Sequence, residues 1–155
     1  RALIGYRDEF LTDTRGTGVM YSLFSGYEPW RGEFMSRRTG SIISDRSGAA
    51  VAYAIANLEA RGRIFIRPGD AVYEGMIIGE NAKEEDITAN PSKQKKLTNM
   101  RASGKDDNIQ LTPVTPLSLE QSLQFIREDE QLEVTPKSLR LRKAILSATA
   151  RKQQK

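Results

Sequence analysis

The stretch that decides the fold is ARGRIFIRPGDAVYEGMIIGE, residues 60–80. RIFI, residues 63–66, is rich in strand-forming residues, and MIIG near the end of the stretch is a second run of the same kind. The Pro-Gly-Asp sequence between them has the composition of a tight turn, and Gly75 separates two further short segments. The stretch therefore predicts consecutive short strands that are joined by turns.

The segment before this stretch predicts a strand and then a helix. SIIS, residues 41–44, is a short candidate strand that the turn residues DRSG close. Residues 49–62 follow, and their apolar side chains fit one face of a helix, although Val51, Tyr53 and Ile55 also alternate as in a strand. The richness in alanine and the terminal glycine favour the helix.

The beginning of the chain predicts a helix, a glycine turn and a strand. Apolar residues within Leu3–Asp13 recur at helical spacing, and Gly16 lies where a left-handed helix C-cap is expected. Val19–Phe24 is an apolar run of strand length. The chain starts within a periodic pattern and without Met, which predicts that it is a fragment of a longer protein.

Periodicity is lost from residue 81 to residue 108, and we interpret this span as a long mobile loop, of a length that is usually functional or disordered. Strand character resumes in IQLTPVT, residues 109–115. Ser118 and Gln121 then form a capping-box pattern at the start of a helix. The buried stripe predicted for that helix consists of Leu119, Leu123 and Ile126.

The C-terminal part predicts an acidic turn and a short strand in EDEQLEVTP. Pro136 suits the first position of a last helix, but the alternation of Leu139 and Leu141 also allows a strand. Residues 151–155 are predicted to be a frayed tail. Strands and helices mix without βαβ alternation, so the predicted fold class is α+β.

Composition excludes several classes of function. The chain of 155 residues contains no Cys and no His, which rules out disulfides, Cys/His metal sites and the Ser–His and Cys–His catalytic pairs. There is no P-loop motif, so nucleotide hydrolysis by that route is also excluded. No apolar run reaches the length of a membrane span. A soluble, cytoplasmic protein that is not itself an enzyme and holds no cofactor is the simplest interpretation.

The predicted loop carries a concentrated positive charge. Residues 91–105 contain five cations and no acid, and phosphate backbones are bound by cations of this kind. Asn99 and Ser103 offer hydrogen bonds to sugar or base edges. An ordinary solvated loop is the alternative, but the length and the absence of acids favour RNA binding. The candidate RNA-binding residues are Lys93, Lys95, Lys96, Asn99, Arg101, Ser103 and Lys105.

The C-terminal stretch, residues 137–155, contains seven further cations and no acid, so these two stretches hold 12 of the 24 Lys and Arg residues. Arg140, Arg142 and Lys143 are the second group of candidate RNA contacts. An alternative remains open, in which these cations complement acidic side chains within the fold. The acidic side chains concerned are Glu128, Asp129, Glu130 and Glu133.

Four blocks of this sequence resemble the BipA/TypA translational GTPases. They are LIGYRDEFLTDTRGTGVM, ARGRIFIRPGDAVYEGMIIGE, NPSKQKKLTNMRASGKDD and LEVTPKSLRLRK, and they cover essentially the whole chain in the family's order. The first block is also similar to elongation factor G. The resemblance implies that residues 1–35 are the second half of a ferredoxin-like domain V, with one helix and one strand. It implies that residues 36–155 form the family's strand-rich C-terminal domain, with short helices and the mobile loop 81–108.

The resemblance also implies a function. Family members bind the ribosome, act in assembly of the large subunit and matter under stress, and their GTP and Mg²⁺ bind in a G domain that this chain lacks. A loop similar to residues 81–108 contacts rRNA and A-site tRNA near the peptidyl-transferase region. The implied partners are the large ribosomal subunit, rRNA and tRNA, with no membrane.

Two further expectations concern protein partners. The domain could instead be a regulatory module that docks on its parent GTPase or on a ribosomal protein through exposed apolar residues such as Trp30 or Tyr73. An unpaired edge strand at Val19–Phe24 could also pair with another chain, which predicts a possible dimer or domain swap.

Overall fold

The computed structural model describes residues 3, 5–30, 32, 37–95, 109–114 and 116–153. Within these residues the chain forms short helices and strands of mixed order, which confirms the α+β class. The helices are α1 (Tyr6–Asp13), α2 (Ala52–Glu59), α3 (Leu119–Phe125) and α4 (Ala148–Gln153). The strands are β1 (Ser41–Ser44), β2 (Gly48–Ala49), β3 (Gly62–Ile64), β4 (Ala71–Val72), β5 (Met76–Asn81), β6 (Ile87–Ala89), β7 (Glu130–Val134) and β8 (Leu139–Lys143).

β5 is the central strand of a six-stranded sheet. The strand order is β6-β1-β5-β8-β7, and β3 also pairs with β5. β1 and β6 are parallel, and the other pairs are antiparallel. β3 pairs with the C-terminal half of β5, and β8 pairs with its N-terminal half. β2 and β4 form a separate two-stranded sheet.

The large sheet buries a different apolar cluster on each face, because side chains alternate along its strands. Ile42 and Ile78 belong to the cluster that also contains Ile55 and Leu58 of α2. Ile43 and Ile77 belong to the other cluster, with Phe125 of α3. The sheet is therefore covered by one helix on each side.

Several predictions from the sequence are confirmed. SIIS forms β1, the helical alternative holds for α2, and the stretch 60–80 contains β3, β4 and β5. Ser118 caps α3 as predicted: its Oγ accepts a bond from Gln121 N at 3.2 Å, and Gln121 Oε1 accepts one from Ser118 N at 3.0 Å. Gly16 has a φ of +78° and its N–H donates to Leu11 O at 2.7 Å just after α1.

Two predicted strands do not form. Val19–Phe24 lies in a segment with no regular structure, and Tyr21 and Leu23 are 89% and 94% exposed. Residues 109–114 are likewise irregular. Strand propensity is expressed only where a neighbouring strand supplies hydrogen bonds and a packed face, and no described strand pairs with either of these runs.

The predicted buried stripe of α3 is confirmed for Ile126, which packs against the cluster that contains Phe125, but is wrong for the two leucines. Leu119 and Leu123 are 50% and 38% exposed, whereas Ser122 and Phe125 are buried. Phe125 packs edge-on against Phe65, with ring centroids 5.3 Å apart. The helix is therefore oriented by its one aromatic residue rather than by its leucines.

The span 81–108 is not a loop throughout. Asn81 ends β5, residues 87–89 form β6, and Pro91 is fully buried. At the C terminus, the strand alternative is correct for Leu139 and Leu141, which lie in β8. The predicted frayed tail begins inside α4, which continues to Gln153.

Gly75 lies where the backbone of Leu146 comes very close, so a side chain at this position should be destabilising. Its φ is +85°, and a Cβ there would lie 2.6 Å from the Cα of Leu146. Gly69 has a similar φ of +91°, but a Cβ there would have no neighbour within 4 Å. We expect Gly69→Ala to cost about 1–2 kcal/mol of unfolding free energy from backbone strain. Gly75→Ala should cost roughly 1–3 kcal/mol more, from overpacking.

Urea denaturation of both variants measures this difference. Equal losses would show that the chain around Leu146 moves away without cost, and that the two glycines act only through backbone conformation.

Candidate nucleic-acid interface

The basic segment, residues 91–105, begins at a point that is held firmly by the fold. Pro91 is fully buried, and its carbonyl oxygen accepts a bond of 2.9 Å from the backbone N–H of Val51, directly before α2. Ser92 N donates to Asn90 Oδ1 at 2.9 Å. Lys93 and Lys95 follow and are exposed. Their side chains are therefore presented to solvent next to a rigid anchor.

The chain returns at the other end of the same helix. Leu111 packs against the cluster under α2, and Thr112 N donates to Glu59 Oε1 at 2.8 Å. Glu59 is the last residue of α2. Eight helical residues span about 12 Å, so α2 separates the two anchors of the basic segment by roughly that distance.

The structure describes only two of the seven residues predicted in the loop. Lys93 and Lys95 are described and exposed. The others lie outside the described residues, and these are Lys96, Asn99, Arg101, Ser103 and Lys105. The anchors at Val51, Pro91, Glu59 and Thr112 were not predicted. The one signal in the sequence for an anchor was a proline in an otherwise polar run. Proline ends regular structure and has no backbone N–H that would need a partner.

Arg140 and Arg142 lie on β8, where both are half-buried. Arg140 pairs in register with Glu133 of β7, and Arg142 pairs with Gln131.

Glu133 Oε2 accepts a bond of 2.9 Å from the Tyr73 hydroxyl. Burial and this carboxylate raise the pKa of Tyr73 to about 12, so the phenol stays protonated at neutral pH. Tyr73 is thus part of the fold rather than an exposed apolar contact.

Lys143 corrects the predicted RNA site. Its side chain is only 1% exposed, and Nζ lies 2.6 Å from Asp86 Oδ2, 2.7 Å from Asp129 Oδ2 and 3.0 Å from Glu130 Oε1. An ammonium with three carboxylate partners inside the fold does not reach a phosphate. The alternative from the sequence holds here, since Lys143 neutralises part of the acidic cluster.

Glu130 is the centre of this buried network, and its side chain is 0% exposed. Oε1 accepts bonds from Arg37 at 2.9 Å and from Ser41 Oγ at 2.6 Å, and Oε2 accepts from Arg127 N at 3.1 Å. The Arg37 guanidinium also lies 3.7 Å from the centroid of the Phe125 ring. The network therefore joins β1, β7, β8 and α3.

The protonation of the network follows from competing effects. Burial alone would lower the pKa of Lys143, but hydrogen bonds to Asp129 and Asp86 and the charge of Glu130 outweigh it, and the pKa is raised. Burial alone would raise the pKa of Asp86, but bonds from Lys143 and from the backbone N–H of Ser41 lower it. Lys143 and Asp86 are therefore both charged at neutral pH.

The described residues show no metal site and no membrane span. They contain no group of three or more carboxylates that could hold a metal ion. The longest helices among them, α1 and α2, have eight residues each, and none of the described helices could cross a bilayer.

Comparison with known proteins identifies similar sequences over almost the whole chain. The family model described as the TypA/BipA C-terminal domain matches residues 39–148. The chain is 50% identical over 153 residues to the large ribosomal subunit assembly factor BipA of Buchnera aphidicola (subsp. Schizaphis graminum), and 49% identical to the proteins of that name from Haemophilus influenzae and Escherichia coli K12. Each alignment covers 98% of this chain and 25% of the relative. The chain thus spans about a quarter of the length of these relatives.

Removing Lys143 from the network should be costly. We expect Lys143→Met to lower the unfolding free energy by about 3–5 kcal/mol, because it takes one of the neighbouring cations away from the buried Glu130. Arg46→Ala removes the cation of the exposed pair with Asp45, in which Nε and Oδ1 are 2.9 Å apart, and should lower the unfolding free energy far less, because solvent screens this pair. Chemical denaturation at neutral pH compares the two, and equal costs would contradict a structural role for Lys143.

The lowered pKa of Asp86 predicts an acid-dependent contribution to stability. Because the folded pKa lies below the unfolded value, the contribution is complete above about pH 4–5 and is lost as the pH falls through the folded pKa. The stability difference between wild type and Asp86→Asn should therefore be constant from about pH 5 to pH 8 and should shrink below about pH 4. Denaturation at a series of pH values measures it. A difference that stays constant down to the acid limit would show that Asp86 acts through its shape alone.

Proposed function

Because this chain belongs to the TypA/BipA C-terminal domain family, we propose that it is the RNA-contacting, ribosome-binding region of a translational GTPase. In this proposal the chain performs no chemistry, and it positions its parent protein on the large ribosomal subunit. GTP and Mg²⁺ belong to a G domain elsewhere in the parent. The name of the relatives, large ribosomal subunit assembly factor, supports the ribosome as partner and a cytoplasmic location.

One observation carries the proposal. The segment 91–105, with five cations and no acid, starts at a buried proline and returns to an anchor at the opposite end of one helix. Anchored ends reduce the conformational entropy that binding costs, while the exposed Lys93 and Lys95 keep their charge available to phosphates. An ordinary solvated turn needs neither anchor.

The finer assignment follows the family resemblance. We propose that the segment contacts rRNA and A-site tRNA near the peptidyl-transferase region, in support of large-subunit assembly and translation under stress. Arg140 and Arg142 remain secondary candidates, because both are half-buried, and Lys143 is excluded by its burial. We also propose that residues 1–35 belong to a ferredoxin-like domain V and residues 36–155 to the C-terminal domain.

A second function is favoured by one specific feature. The irregular segment 17–30 exposes large apolar side chains, including Phe24 at 77%, Tyr27 at 98% and Trp30 at 75%. Exposed apolar groups in such density are typical of surfaces that another protein covers. The alternative is therefore a docking segment, for the parent GTPase, a ribosomal protein or a second copy of this chain.

Cosedimentation with purified large ribosomal subunits across a salt series tests the proposal. Five phosphate contacts on single-stranded RNA predict a log–log salt slope of roughly −3.5, and the variant with Lys93, Lys95, Lys96 and Arg101 changed to Ala should have a slope of roughly −0.7 and much weaker binding. The matched control replaces four cations outside the segment by Ala, namely Arg7, Arg61, Lys83 and Lys152, all exposed.

The outcomes separate the two functions. A loss confined to the first variant supports RNA contact through the basic segment. Equal losses in both variants mean that only total charge matters, and the segment then has no special role. Binding that ignores salt and both sets of changes, but is lost in Trp30→Ser, assigns the function to the apolar docking segment.

A further inference from the structure

A groove of about 630 Å³ opens between the end of β3 and the start of β8. Both strands lie along the same edge of β5, β3 opposite Gly79–Asn81 and β8 opposite Met76 and Ile77. β3 and β8 therefore lie end to end along this edge, and the groove is the gap between the end of one strand and the start of the other. We call this space the β3–β8 groove, and its lining includes Phe65, Arg67, Met76, Ile77, Lys137 and Leu139.

The groove combines an apolar interior with cations at its solvent border. Phe65, Ile77 and Leu139 supply apolar surface, and the exposed residues Arg67 and Lys137 supply positive charge. Among the described residues that line the groove, Asp70 is the one acid, and its Oδ2 accepts a bond of 2.7 Å from the backbone N–H of Arg67. The described border is therefore positive overall, and the Asp70 carboxylate is already engaged.

Arg140 also lines the groove, but its side chain belongs to the other face of the sheet. Leu141 lies in the cluster on the α3 side, and alternation along β8 places the neighbouring Arg140 on the opposite side. There it contributes to the charge around Tyr73. The cations that can serve a ligand in the groove are thus Arg67 and Lys137.

The groove adjoins both ends of the basic segment. The turn after Arg67 is bonded to Ala50 in both directions, from Ala50 N to Asp70 O at 2.9 Å and from Gly69 N to Ala50 O at 2.8 Å. Ala50 precedes Val51, which holds Pro91 at the start of the basic segment. On the return side, Val114, Pro116 and Leu117 line the groove itself.

We propose that the β3–β8 groove binds an unpaired RNA strand that continues from the basic segment. Arg67 and Lys137 contact its phosphates, and one or two bases lie against the apolar lining, as in other single-strand sites. The volume is within the range of small-ligand pockets. Double-helical RNA does not enter, because its bases are stacked and paired inside the helix. This inference rests on the proposed function and adds a preference for single strands to it.

Fluorescence anisotropy with labelled RNA tests the groove on the complete chain. The probes are an oligouridylate of about 12 nucleotides, within the site size of single-strand binders, and an RNA duplex of equal length. Arg67→Ala/Lys137→Ala should weaken binding of the single strand about tenfold and reduce its salt slope by up to about 1.4. Leu139→Ser should weaken single-strand binding about fivefold without changing the salt slope, because it removes only base contact.

The control replaces two exposed cations that do not line the groove, Arg61 and Lys83, by Ala. Thermal melting confirms that each variant is folded. Affinity for the single strand that falls no further in the groove variants than in this control overturns the inference. A loss of the same size for the duplex also overturns it, because charge alone would then explain the binding.

Crosslinking of a 4-thiouridine oligomer separates this inference from the proposed function. Crosslinks to residues 65–67 or 137–139 support the groove. Crosslinks confined to residues 91–108 overturn the groove but leave the proposed RNA contact of the basic segment intact. Groove variants that still bind RNA normally, but no longer sediment with large subunits, show that the groove binds a protein and also overturn the inference.

Discussion

The fold depends on one buried carboxylate and the cations that surround it. Glu130 has no exposed side-chain surface, and Arg37 and Lys143 approach it at 2.9 and 3.0 Å. An isolated ion at that depth would be strongly unfavourable, so each strand that carries one partner needs the others in place. The pairing of β1 with β5 and of β7 with β8 is therefore linked electrostatically as well as through the backbone.

This linkage explains how a sheet of short strands stays ordered. β3 and β6 have three residues each and β1 has four, so few backbone bonds hold any single pair. Arg127 adds to the network, since its guanidinium donates to the carbonyl oxygens of residues 37–39. The side of the sheet opposite this network holds α2, and α2 in turn carries the anchors of the basic segment. The ion network on one face of the sheet therefore helps to hold the sheet on which α2 and its anchors rest.

Local signals in the sequence were sufficient for the elements that fold from local interactions. The Ser118–Gln121 capping box, the glycine after α1 and the turn-separated strands of residues 60–80 each depend on neighbouring residues, and each is confirmed. Val19–Phe24 failed because its strand propensity needs a partner strand. β6 was missed because its three residues are ordered by the parallel pairing with β1, which is a long-range contact that periodicity does not reveal.

The candidate site shows the same division. Charge counting along the chain identified Lys93 and Lys95, which are exposed, but it also selected Lys143, which is buried. All three lysines lie in runs without acids. Only the register of β8 against β7 distinguishes Lys143 from the other two, because it places Lys143 opposite Glu130. A linear charge pattern measures how much charge is present, and the pairing of strands decides how much of it solvent can reach.

The two anchors on α2 also bear on how the segment between them can change in evolution or by engineering. Each anchor is complete without the other, one through a backbone bond to Pro91 and the other through the Glu59 carboxylate. Doubling the length of a flexible connection between fixed points costs only about 0.6 kcal/mol. The fold can therefore accept insertions or foreign sequences between the two anchors with little loss of stability. This position is suited to grafting peptides of other binding specificity.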